Sequence, residues 1–514
     1  MKKLKITAFL LAVLMIIGGL VSCGDKKPAD NTGNTQDSTV AGATDPAENN
    51  GEPTTEARIL PDIPEREDFG GHVFTVLSHR EESDDWFAPV PREILAEVQD
   101  AEEPINDAVY RRNVILKDRY NIDFKIVDNT DEAGILKKVV GAGDDIYDAV
   151  IIFNNKVPVV VKNNNLINVA DLKYIDLNKP WWDPAVNSLS IDHKNYLMAG
   201  DLLILDNEAT NALLFNKKLF TETGIDLPYN MVADGKWTMD KFNEYIRGAS
   251  KDVNGDGKMT PNEDKWGFVC YRDTLHALLV SGGGSLAVKD ENDLPVMSFT
   301  TQRNLAVFDK ITEIMYNKED VLNIQVDISD GGANSSNWLT AYHRAFEEDR
   351  ALFIWVRMRV VEKFRGMESE FGILPLPKFD ETQDKYYSAV NAWTGVLLGV
   401  PKTVQNTERT SIILEAMAAE SRYTLQPAYY DVVLQRKFAR DDESSEMLDI
   451  IFGSNPLGER SYDIGAAYYF GNAFEGFIHL CNKNDKNIMS YYEKNIAKME
   501  KDINKIIELF AGME

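Results

Sequence analysis

A stretch rich in short oxygen-bearing side chains, DVNGDGKMTPNE, has the clearest chemical spacing in the sequence. Ca²⁺ binds about six to eight oxygens, and loops that hold it place ligands at positions 1, 3, 5, 7, 9 and 12 with glycine at position 6. Gly257 stands at position 6, and the ligand positions hold Asp252, Asn254, Asp256, Lys258 (through its carbonyl), Thr260 and Glu263. The spacing predicts a calcium ion at residues 252–263. A solvated turn is the alternative, because Asp, Asn and Gly also favour turns.

The elements on either side of this loop indicate what the metal does. Before it, WTMDKFNEYIRGAS has the periodicity of a helix that begins at a capping residue, Thr238. After it, WGFVCY is rich in aromatic and β-branched residues and predicts a strand. No second helix follows, and the sequence holds no second copy of the loop. The pattern therefore favours a structural clip between a helix and a strand over a calcium switch.

The N-terminal residues predict export and lipid anchoring. A basic MKKLK precedes an apolar run of about fifteen residues from Ile6 to Leu20, which is short for a membrane span. The run ends in LVSC, which resembles a bacterial lipobox with Cys23 as the acylated residue. Residues 1–23 are therefore predicted to be a lipoprotein signal peptide, with an ordinary signal peptide as the alternative. Lipid chains would anchor the protein to the outer face of the cell membrane without spanning it.

Composition divides the remaining chain into a tether and a body. Residues 24–60 contain almost no large apolar side chain, so we expect a disordered tether. The body that follows is too long for one compact core, which predicts two lobes. A net charge of −27 argues against nucleic acid or an anionic membrane surface as partner. We expect a monomer, with Cys270 and Cys481 as buried thiols rather than a disulfide.

Strand-like and helix-like segments alternate in the first part of the body. Alternating or continuous apolar runs predict strands at 72–79, 121–128 and 148–153, and helical spacing lies between the first two. The last residues, NIAKMEKDINKIIELF, predict a packing helix. Such alternation is typical of an α/β fold with a largely parallel, buried sheet.

The sequence lacks the usual catalytic patterns. It contains no HExxH, no GxSxG and no phosphate-binding loop with Gly-Lys-Ser/Thr, and its six histidines never take metal-ligand spacing. We therefore predict that the protein is not an enzyme. The alternative is a secreted acidic hydrolase, which would need a paired acid and base in a cleft.

Several phrases together resemble the extracellular solute-binding lipoproteins of ABC importers. The resemblance runs from about residue 70 to the end and is carried by KPWWDPAV, AGDLLILDNEATNALLFNKKLF, KWTMDKF, KDVNGDGK, RALFIW, FGILPLPKFDETQDKYYS, AWTGVLLGVPKT and YYDVVLQRKFARDDES in this order. These phrases are similar to the large bilobal type that includes maltose-binding and alginate-binding proteins. Members similar to the alginate-binding proteins also carry a calcium loop between a helix and a strand.

The resemblance implies a type II periplasmic-binding-protein fold. Each lobe would be a mainly parallel sheet flanked by helices, and the chain would cross the hinge three times, near 206–211, 371–375 and 421–426. The first lobe would then comprise 61–208 and 373–423. The second would comprise 209–372, with the calcium loop, and 424–514.

The ligand is expected at the carboxyl ends of the strands, where α/β folds bind their ligands. Sugars offer CH faces to aromatic rings and hydroxyls to acids, amides and arginines. With the resemblance, this selects as ligand-binding residues Arg80, Glu81, Trp86, Asn154, Asn155, Asp206, Trp355, Arg357 and Trp393. Each of the three tryptophans in this set could equally be core. At most one of Trp181 and Trp182 should face the cleft, and Trp237 and Trp266 should pack beside the calcium loop.

The function implied is capture of a carbohydrate, an oligosaccharide above all, and its delivery to the permease subunits of an ABC transporter. The same fold binding a peptide or another small solute is the first alternative, because a fold does not fix its ligand.

Overall fold

Thirteen strands and seventeen α-helices lie in the part of the chain that the computed structural model describes, residues 58–79, 92–327, 338–435 and 442–513. The strands are β1 (His72–His79), β2 (Ile122–Asn129), β3 (Ala149–Phe153), β4 (Asn211–Asn216), β5 (Trp266–Cys270), β6 (Ala287–Lys289), β7 (Pro295–Met297), β8 (Val321–Asn323), β9 (Ala351–Arg357), β10 (Phe371–Leu374), β11 (Tyr386–Ala389), β12 (Val396–Gly399) and β13 (Gly458–Ser461).

The helices lie between these strands and after them. They are α1 (Pro104–Tyr120), α2 (Glu132–Ala142), α3 (Val157–Lys162), α4 (Leu205–Glu208), α5 (Lys217–Thr223), α6 (Tyr229–Ala233), α7 (Met239–Ile246), α8 (Asp273–Ser281), α9 (Gln302–Tyr316), α10 (Ile324–Asp327), α11 (Trp338–Glu347), α12 (Thr407–Ser421), α13 (Leu425–Gln435), α14 (Asp442–Ile451), α15 (Ile464–Ala467), α16 (Gly471–Lys483) and α17 (Ile488–Ala511).

The first sheet has four strands in the order β12-β3-β1-β2. β1 pairs in parallel with both β2 and β3, whereas β12 runs antiparallel to β3 with Val396 beside Phe153. Every residue of β3 is buried, which is why its sequence is a continuous apolar run rather than an alternating one. The parallel pairs align the carboxyl ends of β1, β2 and β3 at one edge of the sheet.

The second sheet has five strands in the order β10-β4-β9-β5-β8. β5 pairs in parallel with β8 and β9, and β4 runs antiparallel to β9 and β10. The predicted α/β class is confirmed. The first sheet is mainly parallel, as predicted, with two parallel pairs and one antiparallel pair, whereas the second sheet has two pairs of each kind. A strand that enters from the other sheet need not follow a crossover helix, so it can pair in either direction.

The chain passes from the first sheet to the second after β3 and returns after β10 to form β12. β10 spans the predicted boundary at 372, and β11 pairs with β13, which lies in the C-terminal segment. The lobe boundaries at 208, 372 and 423 stay predictions.

The helix and the strand predicted around the calcium loop are confirmed as α7 and β5. The Thr238 side chain accepts a hydrogen bond from the Lys241 backbone N–H at the start of α7. Trp237 and Trp266 are both buried beside this unit, as predicted. Cys270 and Cys481 are also buried, and they form no disulfide with each other.

Trp181 and Trp182 are both buried, and neither faces a cleft. Their indole N–H groups donate to the two oxygens of Glu415 on α12, at 3.0 and 2.8 Å. Burial raises the pKa of Glu415 to about 7, and the two indole donors oppose that rise. The two tryptophans therefore hold the segment before α4 against α12.

Candidate functional site

Two asparagines at the end of β3 place unsatisfied amide oxygens at the edge of the first sheet. Asn154 and Asn155 follow Phe153 directly, and the Asn154 N–H donates to the Gly395 carbonyl at 2.9 Å. A side chain at Gly395 would come within 2.7 Å of the Asn154 amide nitrogen, so glycine permits this close approach. The Oδ1 atoms of both asparagines are buried with no hydrogen-bond partner among the described residues. A bound ligand could supply the missing donors.

Asn155 lies in the wall of a cavity of about 190 Å³. The cavity is lined by Asn155, Ala392, Trp393, Ala466, Tyr469 and Phe474. Two residues that the sequence selects, Asn155 and Trp393, therefore meet in one pocket. Asn155 comes from the end of β3, Ala392 and Trp393 precede β12, and the other three residues belong to α15, α16 and the turn between them. The pocket joins the first sheet to the C-terminal helices.

The aromatic side of this pocket is a cluster of three rings. Trp393 meets Tyr469 edge to face with centroids 5.7 Å apart, and it meets Phe474 at 6.2 Å. Trp393 is half-buried and Tyr469 is 43 % exposed, so both rings keep accessible surface. Exposed aromatic surface beside an amide is suited to a ligand with both apolar and polar faces.

Tyr469 is held in place by its backbone and by its hydroxyl. Its φ of 49° lies in the left-handed region, which is uncommon for a bulky residue and recurs at functional sites. The hydroxyl donates to Glu475 Oε1 at 3.2 Å, and Arg272 donates to Glu475 Oε2 at 2.8 Å. Arg272 comes from the segment between β5 and α8, so the second sheet helps to orient the ring.

Asn391 connects the pocket to the end of the second sheet. Its Oδ1 accepts from the backbone N–H of Trp393 at 2.9 Å, and its Nδ2 donates to Asp273 Oδ2 at 3.2 Å. Asp273 is the first residue of α8, three positions after β5 ends. The loop that carries Trp393 is therefore tied to the edge where β5 and β9 end.

At that edge, Trp355 and Arg357 lie on one face of β9 because they are two residues apart. The Trp355 ring is fully buried and packs edge to face on Tyr271, with centroids 4.7 Å apart. Burial raises the pKa of Tyr271, and the nearby Arg357 guanidinium opposes that rise. Tyr342 on α11 packs on Tyr271 at 5.3 Å. These side chains leave no exposed ring face at Trp355 for stacking, although its indole N–H has no partner among the described residues.

Asp206 lies in a buried ion cluster and does not line the pocket. Its carboxylate is 3.3 Å from two guanidinium nitrogens of Arg460, and Arg460 also lies 3.4 Å from Asp183. Burial raises the pKa of Asp206 to about 6, and Arg460 opposes that rise. The cluster accounts for Asp206 within the fold, so a contact with ligand stays a prediction. Next to it on α4, Glu208 is bound by Arg92 and Arg359.

Arg80, Glu81, Trp86 and Cys23 lie outside the described residues. His79, the residue before Arg80, closes β1 and lies 2.8 Å from the buried Glu132 through its Nδ1. Its ring packs edge to face on Phe153 at the end of β3.

Two backbone hydrogen bonds between Lys251 and Lys265 close the predicted calcium loop at its base. The Asp252 carboxylate accepts from the N–H groups of Gly255 and Gly257 at 2.6 and 2.8 Å. Both glycines have positive φ, which the sharp turn requires. Asp264, one residue past the predicted ligands, is fully buried and braces the loop by accepting from the Thr260 N–H at 2.6 Å.

The donor set of this loop fits a hard cation. All its side-chain donors are oxygens, and the Thr260 Oγ1 is buried with no hydrogen-bond partner among the described residues. The carboxylates of the loop do not lie close together. Within the described ranges, no three His, Cys, Asp or Glu side chains are near enough to one another to hold a metal ion. The loop supplies suitable ligands that would have to converge on binding.

Sequence reasoning missed Tyr469, Phe474, Arg272 and Tyr342. The phrase YYFGNAFEGF carries the first two, but its aromatic residues at helical spacing predict core packing equally well. Tyr342 sits in an amphipathic helix and Arg272 in a turn, where nothing in the local pattern marks them.

No protein-family model matches the chain, and no curated protein sequence matches it either. Solved structures with the same fold include an ABC substrate-binding protein from Listeria monocytogenes in complex with cycloalternan, with 11 % identity, 87 % of this chain and 100 % of that chain covered, and a TM-score of 0.50. A cyclic alpha-maltosyl-1,6-maltose binding protein from Arthrobacter globiformis has 13 % identity, coverage of 85 % and 99 %, and a TM-score of 0.52. The sugar-binding protein MalE from Xanthomonas citri has 13 % identity, coverage of 86 % and 100 %, and a TM-score of 0.52. These similarities confirm the predicted two-lobed fold.

Proposed function

We propose that this protein is an extracytoplasmic solute-binding protein that captures an oligosaccharide and delivers it to the permease of an ABC importer. The observation that carries the proposal is the pocket in which Asn155 faces the rings of Trp393, Tyr469 and Phe474. Rings bind the CH faces of a sugar, and the unsatisfied Asn155 amide oxygen can accept a hydrogen bond from one of its hydroxyls.

The size of the pocket favours a ligand that extends beyond it. About 190 Å³ is below the roughly 300–1,000 Å³ of ordinary ligand sites, so this pocket would take one unit of a longer chain. Further units would run toward the ends of β5 and β9, to which Asn391 connects the pocket.

The fold supports the proposal without fixing the ligand. The three neighbours described above bind carbohydrates according to their names. A peptide or another small solute is the alternative ligand within the same fold. Binding is favoured over hydrolysis because the two carboxylates beside the pocket are already engaged, Glu475 by Arg272 and Asp273 by Asn391.

Anchoring is proposed from the N-terminal sequence. Acylation of Cys23 would hold the protein at the outer face of the membrane, with residues 24–60 as a tether that lets the body reach the permease. No helix of the described residues is long and apolar enough to cross a membrane.

Calcium is proposed as a structural ion. Asp252, Asn254, Asp256, Thr260 and Glu263 would bind it through side-chain oxygens and Lys258 through its carbonyl. Bound there, the ion would neutralise the acidic loop and fix the connection between α7 and β5, at a distance along the chain from every pocket residue.

A thermal-shift screen tests the proposed function. The mature protein is heated with each member of a panel of oligosaccharides and of short peptides. A carbohydrate at a hundred times its dissociation constant should add about 2.7 kcal/mol to the free energy of unfolding and raise the midpoint. A rise with peptides and none with any carbohydrate would contradict the proposal.

A further inference from the structure

Three side chains at the start of α8 connect this helix to all three rings of the pocket. Arg272 directly precedes α8, Asp273 is its first residue, and His276 lies three positions further on the same face of the helix. None of these three side chains lines the cavity. They can therefore act on a bound molecule only through the residues that they contact.

The first connection runs from Arg272 to the Tyr469 ring. Arg272 donates to Glu475 Oε2 at 2.8 Å, and the Tyr469 hydroxyl donates to Glu475 Oε1 at 3.2 Å. A hydrogen bond between charged groups is short and strong, so Arg272 determines where Glu475 holds the hydroxyl. The backbone N–H of Arg272 in turn donates to the Gln325 side chain at 3.2 Å, which fixes the start of α8.

The other two connections run to Trp393 and Phe474. The Asp273 carboxylate accepts from Asn391 Nδ2 at 3.2 Å, and Asn391 Oδ1 accepts from the Trp393 backbone N–H at 2.9 Å. The His276 ring contacts the Phe474 ring directly, with centroids 5.3 Å apart. One helical turn therefore reaches Tyr469, Trp393 and Phe474 by three separate routes.

His276 also supports the short helix that carries a further wall residue. Its Nε2 lies 3.0 Å from Asp463 Oδ2, and Asp463 Oδ1 accepts from the Gly465 N–H at 2.8 Å at the start of α15. Ala466 in α15 lines the pocket, and Tyr469 follows this helix by two residues. The same turn of α8 thus holds both the rings and the helix beside them.

We propose that Arg272, Asp273 and His276 are positioning residues, which hold the three rings at the spacing on which affinity for carbohydrate depends. Side chains that keep a binding residue in one orientation reduce the cost of ordering it on binding, so their loss weakens binding without removing a contact. The three lie on one helical turn, which can act as a single rigid support. This inference deepens the proposed function and rests on it for the class of ligand.

Arg272→Met tests the connection to Tyr469. The carbohydrate with the largest shift in the thermal screen should bind about tenfold more weakly to this variant, because the ring is no longer held in one place. Arg272→Lys keeps a cationic donor for Glu475 and should restore most of the affinity. Arg247→Met removes an arginine from an exposed ion pair with Glu313 and should leave affinity unchanged. Midpoints should stay close to that of the wild type, since partly exposed ion pairs contribute little to stability.

Asp273→Ala tests the connection to Trp393. Its matched control is Glu408→Ala, because Glu408 also lies in the first turn of a helix, α12, where a carboxylate stabilises the helix, and it pairs with Lys173 at the surface. Both variants should lose a similar, small part of the unfolding midpoint. Only Asp273→Ala should weaken carbohydrate binding, by about three- to tenfold. Equal affinities in these two variants would contradict a positioning role for Asp273.

Double variants show whether Arg272 acts through the ring. Tyr469→Ala removes the ring, so adding Arg272→Met to it should cause no further loss of affinity. Adding Arg272→Met to Trp393→Ala should still weaken binding, because Tyr469 is present there. A further loss in the Tyr469→Ala background would show that Arg272 or Glu475 contacts the carbohydrate directly, and it would overturn the inference.

A measurement without carbohydrate separates this inference from the proposed function. In protein labelled with fluorotryptophan, the fluorine NMR resonance of Trp393 is assigned by its absence from Trp393→Phe. It should shift in Asp273→Ala and in Arg272→Met, because the loop or the neighbouring Tyr469 ring moves, and it should not shift in Arg247→Met. An unchanged resonance in both α8 variants would overturn the inference even if carbohydrate binds. Shifted resonances without binding of any carbohydrate would confirm that α8 positions the rings and would remove the proposed function.

Discussion

The Asp206 carboxylate lies within 3.3 Å of two guanidinium nitrogens of Arg460, and both side chains are buried. Asp206 belongs to α4, at the passage from the first sheet to the second, and Arg460 belongs to β13. The ion pair therefore joins β13, in the C-terminal segment, to α4, in the connection between the two sheets. A carboxylate selected by sequence as a ligand contact thus has a structural partner in the fold, and its contact with a ligand stays a prediction.

Asp206→Asn tests this assignment. Arg460 would keep Asp183 but lose one of its two carboxylates, so the free energy of unfolding should fall by about 1–3 kcal/mol. The dissociation constant for sugar, measured well below the midpoint, should not change. Asp62→Asn, at an exposed ion pair with Lys179, serves as control and should leave both quantities within error. Weaker binding at unchanged stability would instead return Asp206 to the ligand site.

The positions of β1 and β3 could be predicted because each strand keeps one regular pattern of burial along its length. β1 spans the predicted residues 72–79, and β3 covers the apolar run up to Phe153, since a strand buried in a sheet needs apolar residues throughout. The pairing direction of β12 and β4 could not be predicted. It depends on how the chain returns from the other sheet, which no local pattern records.

Asp252→Ala tests the proposed calcium ion. With calcium present, the variant should unfold at a lower temperature than the wild type, because the first ligand of the loop is gone and the metal stabilises only the folded state. A chelator should lower the wild-type midpoint and leave that of the variant nearly unchanged. Sugar affinity should be the same for both proteins at low temperature. A loss of affinity at constant stability would place the metal in the ligand site.

Cys23→Ala tests anchoring. Without a thiol to acylate, the protein should stay unprocessed or leave the membrane, whereas Cys481→Ala, at a buried thiol in the body, should remain anchored. Labelling with a radioactive fatty acid, followed by fractionation, measures both effects. A Cys23→Ala protein that still carries lipid would contradict the lipobox interpretation.

Glu93→Gln tests a buried carboxyl group near the Asp206 cluster. Burial raises the pKa of Glu93 to about 8, with Glu208 and Asp206 adding to the rise and Arg92 opposing it. Because the pKa of Glu93 in the folded protein lies above the ordinary glutamate value of 4.5, the folded protein holds this proton more tightly than the unfolded chain. The contribution of this group to the free energy of unfolding is therefore full below about pH 4.5 and is lost as the pH rises through about 8.

Glutamine is uncharged, like the protonated form of Glu93. The variant should therefore not lose the unfolding free energy that the wild type loses when Glu93 ionises at rising pH. The difference in unfolding free energy between variant and wild type should grow toward high pH, by up to about 1.4 kcal/mol per unit between pH 5 and 8. Urea unfolding at each pH measures it. A difference that stays constant across this range would show that Glu93 ionises normally.

The candidate site could be predicted only beside strands. Asn155 follows β3, at a carboxyl end where the rule for ligand sites applies, whereas Trp393 precedes β12 and is selected as an aromatic residue beside that strand. Tyr469 reaches the same pocket from the turn between α15 and α16, through a backbone conformation that its residue type does not suggest. Trp355 has the right position, but its ring is covered by Tyr271, a contact that only the packed sheet reveals.

The most direct test of the central claim is a calorimetric titration of the best carbohydrate from the screen into three variants and the wild type. Trp393→Ala and Tyr469→Ala should bind about ten- to a hundredfold more weakly with little change in midpoint, because each loses a ring that is partly exposed in the free protein. Tyr316→Ala, which removes an exposed ring on α9, should bind as the wild type does. Wild-type affinity in both pocket variants would contradict the account, because the sugar would then bind elsewhere.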